Sequence, residues 1–191
     1  VAAAALAARA RMNHDDHVAL LREGVHRRGA GAIWADLGAG DGAFTLALAD
    51  LLGDGATVHT VDRDGAALAR GVAEAQRRFP GVQVRPQTAD FSRPLALPPL
   101  DGLVMANSLH FVRDGDKAAL LRRLVAHLRA DGHFLLVEYD ADRGNLWVPH
   151  PLSFDAWSAL AARVGLARPV LLGRRPSRFL RAIYAAAAGL A

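Results

Sequence analysis

Residues 33–44 run Ile33-Trp34-Ala35-Asp36-Leu37-Gly38-Ala39-Gly40-Asp41-Gly42-Ala43-Phe44. The stretch opens apolar, passes through three glycines at alternate positions, and enters an amphipathic segment over 43–52. That order predicts a strand, a tight turn and a helix. Glycine lets the backbone approach a ligand closely and take positive φ without a Cβ clash. The N–H groups at the start of the following helix are free to meet polar ligand atoms. A small molecule is therefore expected across residues 38–42.

Working outward, residues 14–29 predict a helix with Val18, Leu21 and Val25 as its stripe, closed by Gly29 to Gly31. Downstream, 56–61 is a second strand ending at Asp62. Asp64 can cap a helix that runs to about Phe79, where Pro80-Gly81 stops it. Further strands are expected at 82–85, 102–106, 134–138, 170–172 and 179–185. Further helices are expected at 117–129 and after Ser153. Residues 102–106 are too apolar to be half exposed, which suits a central parallel strand. Strands alternating with helices predict a parallel α/β sheet with right-handed crossovers, and the last pair adds an antiparallel strand.

Composition sets wider bounds. The 191 residues, 52% of them hydrophobic, suffice for one domain with a sizeable core. Residues 1–12 are expected to be an N-terminal extension, poorly ordered or helical, ahead of a single domain over 13–191. Cys 0 removes disulfides and cysteine-held metals. The pI near 10.5 suggests nucleic acid. Yet the net charge is only +4 and the arginine pairs are dispersed, whereas a nucleic-acid footprint should cluster. No apolar run approaches the ~20 residues that span a bilayer. A cytoplasmic protein with neither membrane nor nucleic-acid partner is expected, and no histidine or carboxylate cluster has metal-ligand spacing.

In an open parallel sheet, ligands sit at the carboxyl ends of the strands. That rule gathers Asp36 to Gly42, Asp62, Asp90 with Phe91, Asn107 to Phe111, and Tyr139 to Asp142. Asp62 ends the second strand, where an acid accepts hydrogen bonds from ribose hydroxyls. The glycines are spaced G-x-G-x-G and lack the dinucleotide fingerprint G-x-G-x-x-G.

The pieces DLGAGDGAF, VDRD, TADF, DGLVMANSLHFV and LRADGHFLLVEY together resemble the class I S-adenosylmethionine-dependent methyltransferases over about residues 14–186. The resemblance implies a Rossmann-like α/β fold: a seven-stranded, mostly parallel sheet of order 3-2-1-4-5-7-6, strand 7 antiparallel, flanked by helices. It implies S-adenosyl-L-methionine as cofactor, with Gly38, Ala39, Gly40 and Gly42 around its methionine end and Asp36 helping to hold the amino group. Asp62, beside Arg63, would take the ribose, Asp90 and the Phe91 N–H the adenine, and Asn107 the methyl side.

The expected activity is methyl transfer to a small-molecule acceptor by in-line displacement. The alternatives are a non-catalytic S-adenosylmethionine-binding module and an RNA methyltransferase. The latter lacks an Asn-Pro-Pro-Tyr or Asp-Pro-Pro-Tyr box, since the sequence there is Asn107-Ser108-Leu109-His110. A nicotinamide reductase lacks both its glycine fingerprint and a Tyr-x-x-x-Lys pair. His110 is the candidate general base or pocket residue, ahead of His14, His17, His150, Glu138 and Asp140. His14 and His17 on the first helix, Tyr139, and Arg175 among the arginines 174, 175 and 178 are candidate substrate contacts. The oligomeric state, monomer or homodimer, is left open.

Overall fold

The computed structural model describes residues 12–26, 29–177 and 179–191. Residues 1–11 of the expected extension, the Arg27-Arg28 pair and Arg178 lie outside the described residues.

The elements, in chain order, are α1 (His14–Leu21), β1 (Ile33–Leu37), α2 (Ala43–Leu52), β2 (Thr57–Asp62), α3 (Gly65–Arg78), β3 (Gln83–Thr88), β4 (Leu100–Ala106), α4 (Asp114–Val125), β5 (Leu128–Tyr139), α5 (Phe154–Arg163), β6 (Val170–Pro176) and β7 (Ala182–Gly189). Short 3-10 turns occupy Arg22–Gly24 and Leu109–Phe111. The seven strands form one sheet in the order β3-β2-β1-β4-β5-β7-β6, as expected. β1 to β5 are parallel, while β7 runs antiparallel to both β5 and β6. The order reverses between β1 and β4, where Asp36 pairs with Val104. That reversal opens the crevice in which such sheets bind ligands.

Alternation along the strands sends side chains to two cores. Trp34, Val104, Leu135 and Val137 pack with α1 and α2 on one face. Ala35, Leu103, Met105, Phe134 and Leu136 pack with α4 and α5 on the other. Trp34 lies over Gly102, its register partner on β4, in space that a Cβ there would occupy.

Several boundaries differ from expectation for visible reasons. Asn13 caps α1 by accepting from the Asp16 N–H at 2.9 Å. The helix ends at Leu21 and tightens into the 3-10 turn Arg22–Gly24, where Gly24 passes so close to Leu135 that a Cβ would overlap it. β3 extends through Pro86, tolerated because β3 lies at a sheet edge and pairs with β2 alone. α4 stops at Val125 rather than 129, since Leu128 already pairs with Leu100 at the start of β5. β6 runs to Pro176, so Arg174 and Arg175 belong to a strand and not to its connector.

Candidate functional site

The glycine turn leaves β1 in the left-handed region at Gly38 (φ 78°), Gly40 (φ 54°) and Gly42 (φ 86°). Side chains are also excluded here by space. A Cβ at Gly38 would overlap Ser108, and one at Gly42 would stand 2.8 Å from the Gly71 Cα of α3. The turn is tied to β2, because the Gly38 and Ala39 N–H groups both donate to the Val61 carbonyl (2.8 and 3.1 Å). Gly42, the N-cap of α2, brings no side chain to the first N–H groups of that helix.

Three carboxylates surround this turn in different settings. Asp36, 1% exposed, accepts from the Thr45 hydroxyl at 2.7 Å, and that hydroxyl lies 3.2 Å from the Thr60 hydroxyl. Burial pushes its pKa up to about 6; the Thr45 hydrogen bonds oppose the shift and the Asp62 charge adds to it. Asp62 accepts from the Gly40 N–H through Oδ2 and from the Asp64 N–H through Oδ1, both at 2.8 Å. Asp90 accepts from the Ser92 N–H at 2.8 Å. Hydrogen bonding to Ser92 holds its pKa below the usual carboxylate value, with a smaller contribution from the Arg93 and Arg63 charges.

At the end of β4, Asn107 (φ 51°) is the one non-glycine residue at positive φ among the described residues. Asparagine is among the few side chains that tolerate this region. Its N–H donates to the Val137 carbonyl at 2.8 Å, while its Oδ1 is buried with no hydrogen-bond partner. Two cavities meet at this residue. The larger, about 770 Å³, is bordered by Gly38, Gly40, Asp62, Arg63, Asp90 and Phe91. The smaller, about 290 Å³, is bordered by Ala39, Asp41, His17, Phe44, Tyr139 and Phe179.

The structure thus brings Gly38, Gly40, Asp62, Arg63, Asp90, Phe91 and Asn107 to one cavity, with Ala39 next door and Asp36 buried beneath the turn. The candidate substrate contacts divide. His17 and Tyr139 line the smaller cavity. His14 lines neither; its Nε2 lies 2.8 Å from Asp50 Oδ2 and its ring stacks on Phe79. Arg175 also lines neither, with its Nε 3.9 Å from Asp16, while Arg174 is bound to Asp140 at 2.9 Å and lies over Phe154.

His110 is 3% exposed and borders neither cavity. Its Nδ1 lies 3.0 Å from Glu138 Oε1, and its backbone N–H donates to Glu138 Oε2 at 3.0 Å. The Tyr139 N–H donates to Oε1 at 2.8 Å. The fully buried Glu138 carboxylate therefore ties the turn after β4 to the end of β5.

Sequence reasoning did not select Met12, Phe44 or Phe179 for the smaller cavity, nor Arg113 and Arg123 for the larger. Phe44 carried a signal, an aromatic two residues past the glycine turn. Phe179 carried none, since only the β6–β7 hairpin brings it here.

A family model described as a methyltransferase domain matches residues 35–134. No curated protein matches the sequence. Among solved structures, the chain is similar to the 1,6-didemethyltoxoflavin-N1-methyltransferase of Burkholderia thailandensis, with 22% identity and a TM-score of 0.73, covering 93% of this chain and 77% of that one. That protein was solved with 1,6-didemethyltoxoflavin and S-adenosylhomocysteine bound. It is also similar to the N-methyltransferase NodS of Bradyrhizobium japonicum, with 18% identity and a TM-score of 0.68, covering 92% of this chain and 86% of that one. A mitomycin 7-O-methyltransferase matches with 18% identity and a TM-score of 0.65, over 91% of this chain. This chain spans about half of that protein, 53% of its length.

Proposed function

The chain belongs to the methyltransferase-domain family of S-adenosylmethionine-dependent enzymes, and on that premise we propose that its two cavities divide one reaction, cofactor in the larger and a small-molecule acceptor in the smaller. The observation that carries this reading is their meeting at Asn107, where a left-handed backbone and an unpartnered buried oxygen stand between them.

The residues fit the cofactor. The cradle at Gly38 is the space a Cβ would fill against Ser108. Asp62 spends one lone pair of each oxygen on backbone N–H groups, and a carboxylate retains about two further acceptor positions for ribose hydroxyls. Asp90, held ionised, accepts from the adenine amino group, with the Phe91 N–H toward the ring and Arg63 at the rim. Asp36, raised toward pH 6, holds a positive amino group best once a cation offsets its own burial. Asn107 offers its Oδ1 at the methyl side. When bound, S-adenosylmethionine would supply an electrophilic sulfonium methyl, to which the acceptor's lone pair would bond as the C–S bond breaks, S-adenosylhomocysteine leaving as the thioether and the acceptor's proton passing to His17 or to solvent.

The protein's own part is alignment and exclusion of water. Such positioning supplies up to about 7–11 kcal/mol in well-oriented systems. His17 is the histidine at the acceptor, and His110 serves the site by holding its walls. We further assign residues 13–191 to one domain.

Calorimetric titration with S-adenosylmethionine, S-adenosylhomocysteine and NADH tests the assignment. Micromolar binding of the first two is expected, lost in Asp62→Ala and weakened in Asp90→Ala. Preferential binding of NADH would sink it. Transfer of a labelled methyl to any metabolite pool separates an enzyme from a binding module.

A further inference from the structure

We propose that the smaller cavity is a slot for a flat, uncharged aromatic molecule of one or two rings carrying a hydroxyl or N–H, and that this molecule is the methyl acceptor. The second half of the statement rests on the reading above; the first stands on the cavity itself.

Two aromatic pairs line the space. His17 of α1 and Phe44 of α2 lie with ring centroids 4.8 Å apart and planes at 58°. Tyr139 at the end of β5 and Phe179 of the β6–β7 connection lie 6.4 Å apart, edge to face at 82°. Aromatic groups favour offset or edge-to-face partners at ~4.5–7 Å, so a ring entering the space finds such partners among these four side chains. Phe179 is 38% exposed, an apolar ring kept at the cavity mouth and not in the core.

Charge narrows the class. No arginine or lysine among the described residues borders this cavity, and Asp41 is the one carboxylate there. Arg174 and Arg175 are turned to Asp140 and Asp16. Among the described residues an anion would meet no guanidinium fork of the kind that carboxylates and phosphates require. Size narrows it further, since about 290 Å³ lies at the floor of the ~300–1,000 Å³ range of ligand pockets. Asn107 supplies the remaining element. Its Oδ1 is buried without a hydrogen-bond partner, and Asn107 borders both cavities, so an acceptor's O–H or N–H at this junction is the donor it lacks.

The test is calorimetric titration with four probes of one skeleton, each with and without saturating S-adenosylhomocysteine. 1-Naphthol has the ring and the donor, 1-methoxynaphthalene the ring alone, decahydro-1-naphthol the donor alone, and 1-naphthoate carries a charge. 1-Naphthol is expected to bind tightest. Phe179→Leu and Phe44→Leu should each weaken it roughly two- to tenfold, the worth of one aromatic contact. Asn107→Gly keeps the left-handed backbone and should erase the preference for naphthol over its methyl ether. The proposal is overturned if decahydro-1-naphthol or 1-naphthoate binds as tightly as 1-naphthol, if 1-naphthol does not bind, or if Phe179→Leu changes nothing. Absent S-adenosylhomocysteine binding would count against the cofactor reading alone, because the probe titrations without it still report on the slot.

Discussion

At the scale of single residues, Asp36 carries the sharpest consequence. Its carboxyl sits in the fold with a pKa near 6 against an ordinary 3.8, so the unfolded chain gives up this proton more readily than the folded one. The contribution is fully present below about pH 4 and lost as pH rises through 6, at roughly 3 kcal/mol for a shift of this size. Asp36→Asn keeps the shape and can still accept from Thr45. It should flatten the pH 4–6 slope of urea-unfolding stability and stabilise the ligand-free protein above pH 7 by about 1–3 kcal/mol. The same change should weaken S-adenosylmethionine binding if the carboxylate holds its amino group, a trade of stability for function. The fold around this residue was readable, since the glycines and Asp62 follow local rules. The placement of His14 and His17 was not. They lie three residues apart on one helix, and which of them meets Asp50 and which meets Phe44 depends on how α1 docks.

At the scale of elements, the turn after β4 is held by one side chain on β5. Glu138 receives two hydrogen bonds from His110 and one from the Tyr139 backbone, all buried. Glu138→Ala leaves these donors unpaired and should cost about 3–5 kcal/mol in urea unfolding. Glu138→Gln, which returns one acceptor, should cost less. Both should lower affinity for S-adenosylhomocysteine by loosening the turn that carries Asn107. None of this is legible in the chain, because the partners are separated along it and a histidine after a strand looks available for chemistry. Element types were legible throughout: every strand and helix expected from 33 onward exists. The boundaries slipped where pairing overrode pattern, as at Leu128, which continues the apolar stripe of α4 yet pairs with Leu100.

At the scale of the whole molecule, the sheet brings every cofactor candidate except the buried Asp36 and Gly42 to the carboxyl ends of its strands, within or beside the larger cavity. A ligand bound there acts on the whole fold by mass action. Saturation with S-adenosylhomocysteine at about 100 times its Kd should add about 2.7 kcal/mol and raise Tm by roughly 5–10 °C in scanning calorimetry, with no comparable rise from NADH. The cofactor side could be read from the sequence because its residues follow one another through successive βαβ units. The smaller cavity was legible only through His17 and Tyr139, because its remaining walls come from distant parts of the described chain.

That last arrangement has a kinetic meaning. Among the described residues the larger cavity is bordered by residues between 38 and 123, whereas the smaller one also draws on residues 12–17 and 176–183. Its walls join only on closing the chain from residue 17 to residue 176, which costs more chain entropy than the local βαβ closures around the larger cavity. Fraying of the β6–β7 hairpin, a sheet edge, would by the same logic empty the acceptor wall while the cofactor cleft stays whole. Native-state hydrogen exchange should find the amides of β6 opening well before those of β1 and β4, so that acceptor binding is the first capacity lost on warming and the last regained on cooling.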